Sequence, residues 1–495
     1  MPSRREFLHH SARLSLAASA ATMSGSAAAR DAGGVVVNDA QSQLNATRVR
    51  CVLCPKSVDD LQTAVRSAKR RSLAISMAGG RHSMGGQQFG TDNIHLSMNS
   101  FKRVLNLDTR RGLVTVQAGI QWPELMAELH RRQPRSESAG SQPPWVIREK
   151  QTGVDTVSIG GSLASNIHGR GLAFPPFVHD IDSFDILDAN GCVRHCSRRD
   201  NPELFRVAIG GYGLFGIVTQ VTLRLVRQFK VKRHVEQIVV RDVLDRYQQR
   251  RDAGFVFGDC QYSVDLTGDA TDHPGIMPCY EPVDDDTPVT ENAVALTGEQ
   301  WAELYRLVRT DKRRAFDVYS GHYQRTNGQV YWSDTHQLAG AFAGHKAAVD
   351  PKRGTEVITE VYLSHDNVMP CLTAIHAELS ARKTDLSYGT IRFIEADSET
   401  FLPWARQRSV CIVCNIHVQH TKAGIARARS DSRAILDQVG KFGGSFFLTY
   451  HRWATPSQIR SCYPKIREFF RLKRHYDPEE RFQSDWYRHY APQFA

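Results

Sequence analysis

The chain has 495 residues, 41% of them hydrophobic and 23% charged, with a formal charge of +11. That composition excludes a disordered or collagen-like chain, and the length predicts roughly two to four domains. Its 63 Lys and Arg are dispersed rather than gathered in blocks, so the basic excess reads as solvated surface and no nucleic-acid partner is expected.

At the amino end, SRREFL precedes the weakly apolar ARLSLAASAATMSGSAAA, which closes on Ala27-Ala28-Ala29. A basic start, a modest apolar run and small residues at the end read as a signal peptide over residues 1–29. Arg4-Arg5, with Phe7 and Leu8 behind them, give it the twin-arginine form, so export to the periplasm is expected. No later run has the apolar length of a membrane span, and stable membrane insertion is not expected.

SVDDLQTAVRSAKRR predicts a helix opened by Ser57, with Asp59 and Asp60 beside its positive end. Leu61, Val65 and Ala68 form its buried stripe. SLAISMA follows as a strand and runs into a loop that holds five glycines and His82 between Ile75 and Gly90. GLVTVQAG predicts a strand, and QWPELMAELHRR a helix with proline near its first turn. SFDILDANGCVRHC predicts a hairpin turning at Asn190-Gly191, and FGIVTQVTLRLV an alternating strand. From Gln228 the texture changes. Residues 265–295, rich in Asp, Pro and Thr, predict long surface loops, and the elements beyond them to about residue 455 predict a second domain. The aromatic, basic tail IREFFRLKRHYDPEERFQSDWYRHY is expected to pack on something.

Ten cysteines are too few for a disulfide scaffold. Cys51/Cys54 and Cys411/Cys414 share CxxC spacing, yet VCIVCNIHV alternates as a strand and sends residues three apart to opposite faces. Neither pair is read as a metal ligand set, and no metal is expected; one or two disulfides remain open.

The glycine loop lets a ligand approach the peptide groups closely, and successive amides there can bind an anion. It lacks the GxxxxGK[ST] of a triphosphate loop. Two more stretches follow, TVSIGGSLASNIHGRG and AIGGYGLFGIVTQVTL. Three such loops imply a large, flat, polar ligand laid across several turns of backbone.

Together SMAGGRHSMGGQ, TVSIGGSLASNIHGRG and NPELFRVAIGGYGLFGIVTQVTLRL resemble the FAD-binding (PCMH-type) module of the vanillyl-alcohol-oxidase superfamily, which includes alditol and sugar-lactone oxidases. The tail KRHYDPEERFQ resembles that superfamily's carboxy-terminal segment. The resemblance implies an α+β fold with a two-subdomain FAD module at 30–227 and an α+β substrate domain at 228–470. It further implies a segment, 471–495, that returns to the flavin.

It implies that Ala78, Gly79, Gly80, Arg81, His82 and Ser83 wrap the FAD pyrophosphate, with His82 as a covalent tether. Arg81 stands where relatives often carry glycine, which puts that turn in question. Ser158, Gly160, Gly161, Ser162, Ser165, Asn166 and Gly169 would lie along the FAD, and Ile217 and Val218 would meet it from their strand. His168 would position a hydroxyl. GTIRFIEADSETFLPW resembles the strand facing the flavin: Arg392 matches an arginine of alditol oxidase, but Thr390 replaces its glutamate and puts polyol specificity in doubt. His417 and Tyr450, with His451 and Arg452 beside Tyr450, and Lys473 in the tail complete the catalytic candidates.

The implied activity is oxidation of a CH–OH group on a hydroxylated, carbohydrate-like small molecule, with oxygen, a quinone or a cytochrome as the electron acceptor. A non-catalytic basic glycan-binding protein is the competing reading.

Overall fold

A computed structural model describes residues 34–133, 142–339 and 354–494. The expected signal segment, 1–29, lies outside the described residues. Among those described, no helix is long and apolar enough to cross a membrane.

Ser57 opens the helix Val58–Arg70 with a full capping box, its hydroxyl accepting from the Asp60 amide while Asp60 reaches back. Leu61, Ala64, Val65 and Ala68 are buried on the face that packs against Ile75, Ile94 and Leu96. These belong to a three-stranded parallel sheet ordered Cys51–Leu53, Ile94–Ser97, Ile75–Ala78.

A five-stranded antiparallel sheet follows, with Ile217–Arg224 at its centre between Ile181–Leu187 and Leu113–Gln117. The predicted hairpin forms from Ile181–Leu187 and Val193–Ser197, but its loop has five residues, Asp188 to Cys192. The Asp188 carboxylate explains the extra length, because it accepts the amides of both Asn190 and Cys192 at 2.9 Å.

A nine-stranded antiparallel sheet carries the second half. Towards one edge of it Thr355–Leu363 pairs with Ser409–Val418, which pairs with Leu386–Ile394. The register sets Glu360 opposite Val413 and Tyr362 opposite Cys411, with Thr390 and Arg392 in line on the third strand. One face of this sheet therefore presents Glu360, Cys411 and Arg392 together.

Within 265–295 the expectation of surface loop holds for 284–295 and is corrected at 274–283. Pro274–Val283 is a strand, buried from Gly275 to Tyr280. Pro274, Pro278 and Pro282 are all in register with Lys230–Val239 on one side, while on the other Met277 and Pro278 lie between the residues paired to Cys260–Tyr262 and those paired to Phe257–Gly258. Ile276, Met277, Cys279 and Tyr280 supply the buried surface that overrides the breaker signal.

The tail docks as expected. The Ile75 amide donates to the Arg481 carbonyl at 2.6 Å, and Gln483 donates back to Ile75 at 3.0 Å, so Phe482 extends the three-stranded sheet and is wholly buried. This contact anchors the strand that enters the first glycine loop. All ten cysteines are free of disulfides.

Candidate functional site

The three glycine stretches converge. Gly79, Gly161 and Gly213 line one cleft, with about 1390 Å³ of space free of protein atoms, open solvent included, and the nine-stranded sheet closes it with Ile358, Glu360 and Arg392. Gly80 is obligatory at the turn, since a Cβ there would meet the Thr156 carbonyl oxygen at 2.1 Å. At Gly213, with φ of 74°, a Cβ would meet nothing nearer than Met77 at 3.9 Å, so the missing side chain keeps the cleft floor open. Arg81 holds the left-handed conformation itself, φ 59°, and its carbonyl accepts from Ala40 at 2.8 Å. The turn that glycine would permit is thus kept at a backbone cost of about 1–2 kcal/mol.

The cleft fits FAD. It is long and poor in side chains where the backbone turns, and three lining residues, Gln41, Gln88 and Gln151, hold buried carbonyl oxygens with no hydrogen-bond partner among the described residues. Buried acceptors of that kind call for a donor from a ligand or water.

Of the cofactor-binding candidates, Ala78, Gly79, Gly80, Arg81, His82, Ser83, Ser158, Gly160, Gly161, Ser165 and Val218 line the cleft. His82 Nε2 lies 2.8 Å from Thr156 Oγ1. Ser162, Asn166, Gly169 and Ile217 stand behind this lining. Ser162 accepts from the Trp122 indole, and Asn166 bonds Asp397 and the Val178 amide. Ile217 points into the core under the parallel sheet, so the strand's alternation gives the cleft Val218 alone.

On the substrate side, His168, Arg392 and Tyr450 line the cleft, and Glu360, which sequence reasoning missed, joins them. His168 Nε2 is 2.5 Å from Glu360 Oε1, and its Nδ1 faces the Gly169 carbonyl at 3.0 Å. Tyr450 donates to Glu360 Oε2 at 2.6 Å and Cys411 donates to Oε1 at 3.0 Å. Both ring nitrogens of His168 thus face acceptors. Burial alone would raise the Glu360 pKa, but the His168 charge and hydrogen bond, with Arg392 beyond, bring it down to about 2. Trp404 and Tyr362 pack round the imidazole and exclude water. The one signal for Glu360 was the second of two acids, four residues after Glu356, inside an alternating run, TEVITEVYL.

Two catalytic candidates are corrected. His417 lies outside the cleft lining, four residues along its strand from Val413, where it pairs with Glu356 at 3.0 Å and packs against Gly354. Lys473 is wholly buried in the tail helix, in an ion pair with Asp477. His451 also turns away, stacking on Trp453.

Glu149 braces the His168 loop, its Oε2 accepting the Gly171 amide at 3.1 Å. Burial, then the Asp180 charge, pushes its pKa up to about 8. The folded chain therefore keeps a proton that the unfolded chain loses near 4.5, so this contribution is full at acid pH and is lost as pH rises towards 8. Unfolding midpoints should fall across that window, by about 1.4 kcal/mol per pH unit for the one proton, and Glu149→Gln should flatten the fall.

Residues 49–197 match a family model described as "FAD binding domain". The chain is 34% identical over 188 residues to an "Uncharacterized oxidoreductase ORF5 in fasciation locus" of Rhodococcoides fascians, covering 37% of this chain and 40% of that protein. It is 29% identical over 191 residues to L-gulonolactone oxidase of Bos taurus, covering 39% and 40%. Both matches thus span less than half of the relative's length. A longer one, 24% identical over 445 residues, joins 88% of this chain to 95% of L-gulono-1,4-lactone dehydrogenase of Mycobacterium tuberculosis. Residues 49–197 of this chain are an FAD-binding domain.

Proposed function

We propose that the chain is an FAD-dependent oxidoreductase that oxidises a CH–OH carbon of a sugar-lactone-like substrate. The observation that carries this reading is Glu360, the sole carboxylate among the described residues lining the cleft, held ionised by His168 and Tyr450. Bound FAD supplies the acceptor for hydride from the carbon bearing the hydroxyl. Glu360 accepts the hydrogen bond of that hydroxyl and takes its proton as the carbon becomes a carbonyl. A carbonyl still bearing its proton is a strong acid, so even a carboxylate held near 2 takes it. Arg392, buried and with an unpartnered Nε, offers a cation to a ring or carbonyl oxygen of the substrate.

Substrate names enter from the relatives: L-gulonolactone oxidase and L-gulono-1,4-lactone dehydrogenase point to the lactone class. Without oxygen, a panel of aldonolactones, alditols and sugars should bleach the yellow protein, with lactones fastest. A colourless protein after flavin loading, or a flavin no lactone reduces, overturns the reading. Peroxide release in air separates oxygen from a quinone or cytochrome as acceptor.

Two further readings belong to the same proposal. His82 tethers the flavin: acid-precipitated protein should stay yellow, and His82→Ala should release all its colour to the supernatant. Residues 1–29 direct export, which mass spectrometry of the mature protein checks through loss of that segment.

A further inference from the structure

Glu360 has a neighbour that the oxidation does not use. Cys411 Sγ meets the same carboxylate oxygen as His168, and His168 Nε2, Glu360 Oε1 and Cys411 Sγ all lie within 4.8 Å of one another. One nitrogen, one oxygen and one sulfur are the donor types that bind Zn²⁺. The outer contacts are those of a metal site. A hydrogen bond from Nδ1 to the Gly169 carbonyl would leave the Nε2 lone pair facing the ion, and Tyr450 holds the carboxylate by its other oxygen.

We propose that His168, Glu360 and Cys411 form a Zn²⁺ site open to the cleft, whose occupation switches the oxidoreductase off. His168 and Glu360 line the cleft while Cys411 stands behind them, so the fourth position faces the cavity and takes a water. Binding releases two protons, the Cys411 thiol proton and the Nε2 proton of His168. Carboxylate and thiolate then balance the two charges of the ion. Bonds of about 2.0–2.3 Å at tetrahedral angles need ligand atoms roughly 3.3–3.7 Å apart. The present 2.5 Å between His168 and Glu360 and 3.0 Å between Cys411 and Glu360 must therefore open, by rotation of the carboxylate. Arg392 beside the site opposes a cation and keeps the binding reversible.

Inhibition rests on the catalytic reading of Glu360; the binding does not, and the test separates them. Flavin-loaded protein, stripped by a chelator, is titrated with Co²⁺ and followed at wavelengths longer than oxidised flavin absorbs. Ligand-field bands of a thiolate-bound Co²⁺ should grow to one equivalent and vanish on adding Zn²⁺. In Cys411→Ala they should be absent, and in Cys411→Ser weakened and shifted, with flavin content reporting that both variants fold. No bands in the native protein, or bands that persist in Cys411→Ala, overturn the site. If bands form as expected, Zn²⁺ should inhibit native turnover at a concentration about tenfold or more below that needed for Cys411→Ala. Binding without inhibition would leave the metal site standing and count against Glu360 as proton acceptor.

Discussion

Glu360→Gln protein should stay yellow, keep an unchanged oxidised-flavin spectrum and lose about 10²- to 10⁴-fold in the anaerobic rate of flavin reduction. The glutamine fills the same space but cannot take a proton. Its amide must also turn one N–H face towards Tyr450, Cys411 or His168, all of which now donate to the carboxylate. The His168 ring then faces a neutral amide in place of a carboxylate, in a pocket walled by Trp404 and Tyr362. The loss should fall on the reduction rate and not on flavin retention, because Glu360 stands on the sheet wall of the cleft and not among its glycine turns. Stopped-flow reduction by a lactone is the measurement, and a rate within threefold of the native protein would remove Glu360 from the proton step.

Local signals in the sequence were strong wherever the backbone itself does the work. The Ser57 capping box and the Leu61–Val65–Ala68 stripe depend on neighbours a few residues away, and the glycine stretches stand out by composition, so they could be read in one dimension. The substrate wall could not. Glu360 meets His168 across 192 positions, and an alternating run that carries Glu356 and Glu360 on one face also describes a strand with one solvated face. The register with Ser409–Val418 turns Glu360 inward and sets Cys411 beside it. Sequence spacing sorted Cys411 from Cys414 correctly by face but could not supply the partners that Cys411 meets. His417 shows the limit of the same argument. Alternation puts it on the face that carries Val413, but only the length of the strand carries it past the end of the cleft.

Lys473 gives the sharpest contrast between a motif and its place in the fold. The tail resembled a segment that returns to the flavin, and a lone lysine there suggested contact with the reacting atoms. The structure instead buries Lys473 against Asp477, whose two oxygens also accept the Arg481 and Phe482 amides at 2.8 Å. Those two residues carry the bridge to Ile75, and the strand from Ile75 leads straight into Gly79 and Gly80. Lys473→Met leaves Asp477 as an uncompensated buried charge and should cost about 3–5 kcal/mol. The cost should appear as a lower unfolding midpoint and faster flavin loss, with kcat per bound flavin near the native value. Lys473→Met/Asp477→Asn should recover part of the stability, because the charge goes while one backbone amide loses its acceptor. A lysine that touched substrate would behave the other way round, with native stability and flavin content but a collapsed kcat. That result would put the tail back among the catalytic groups.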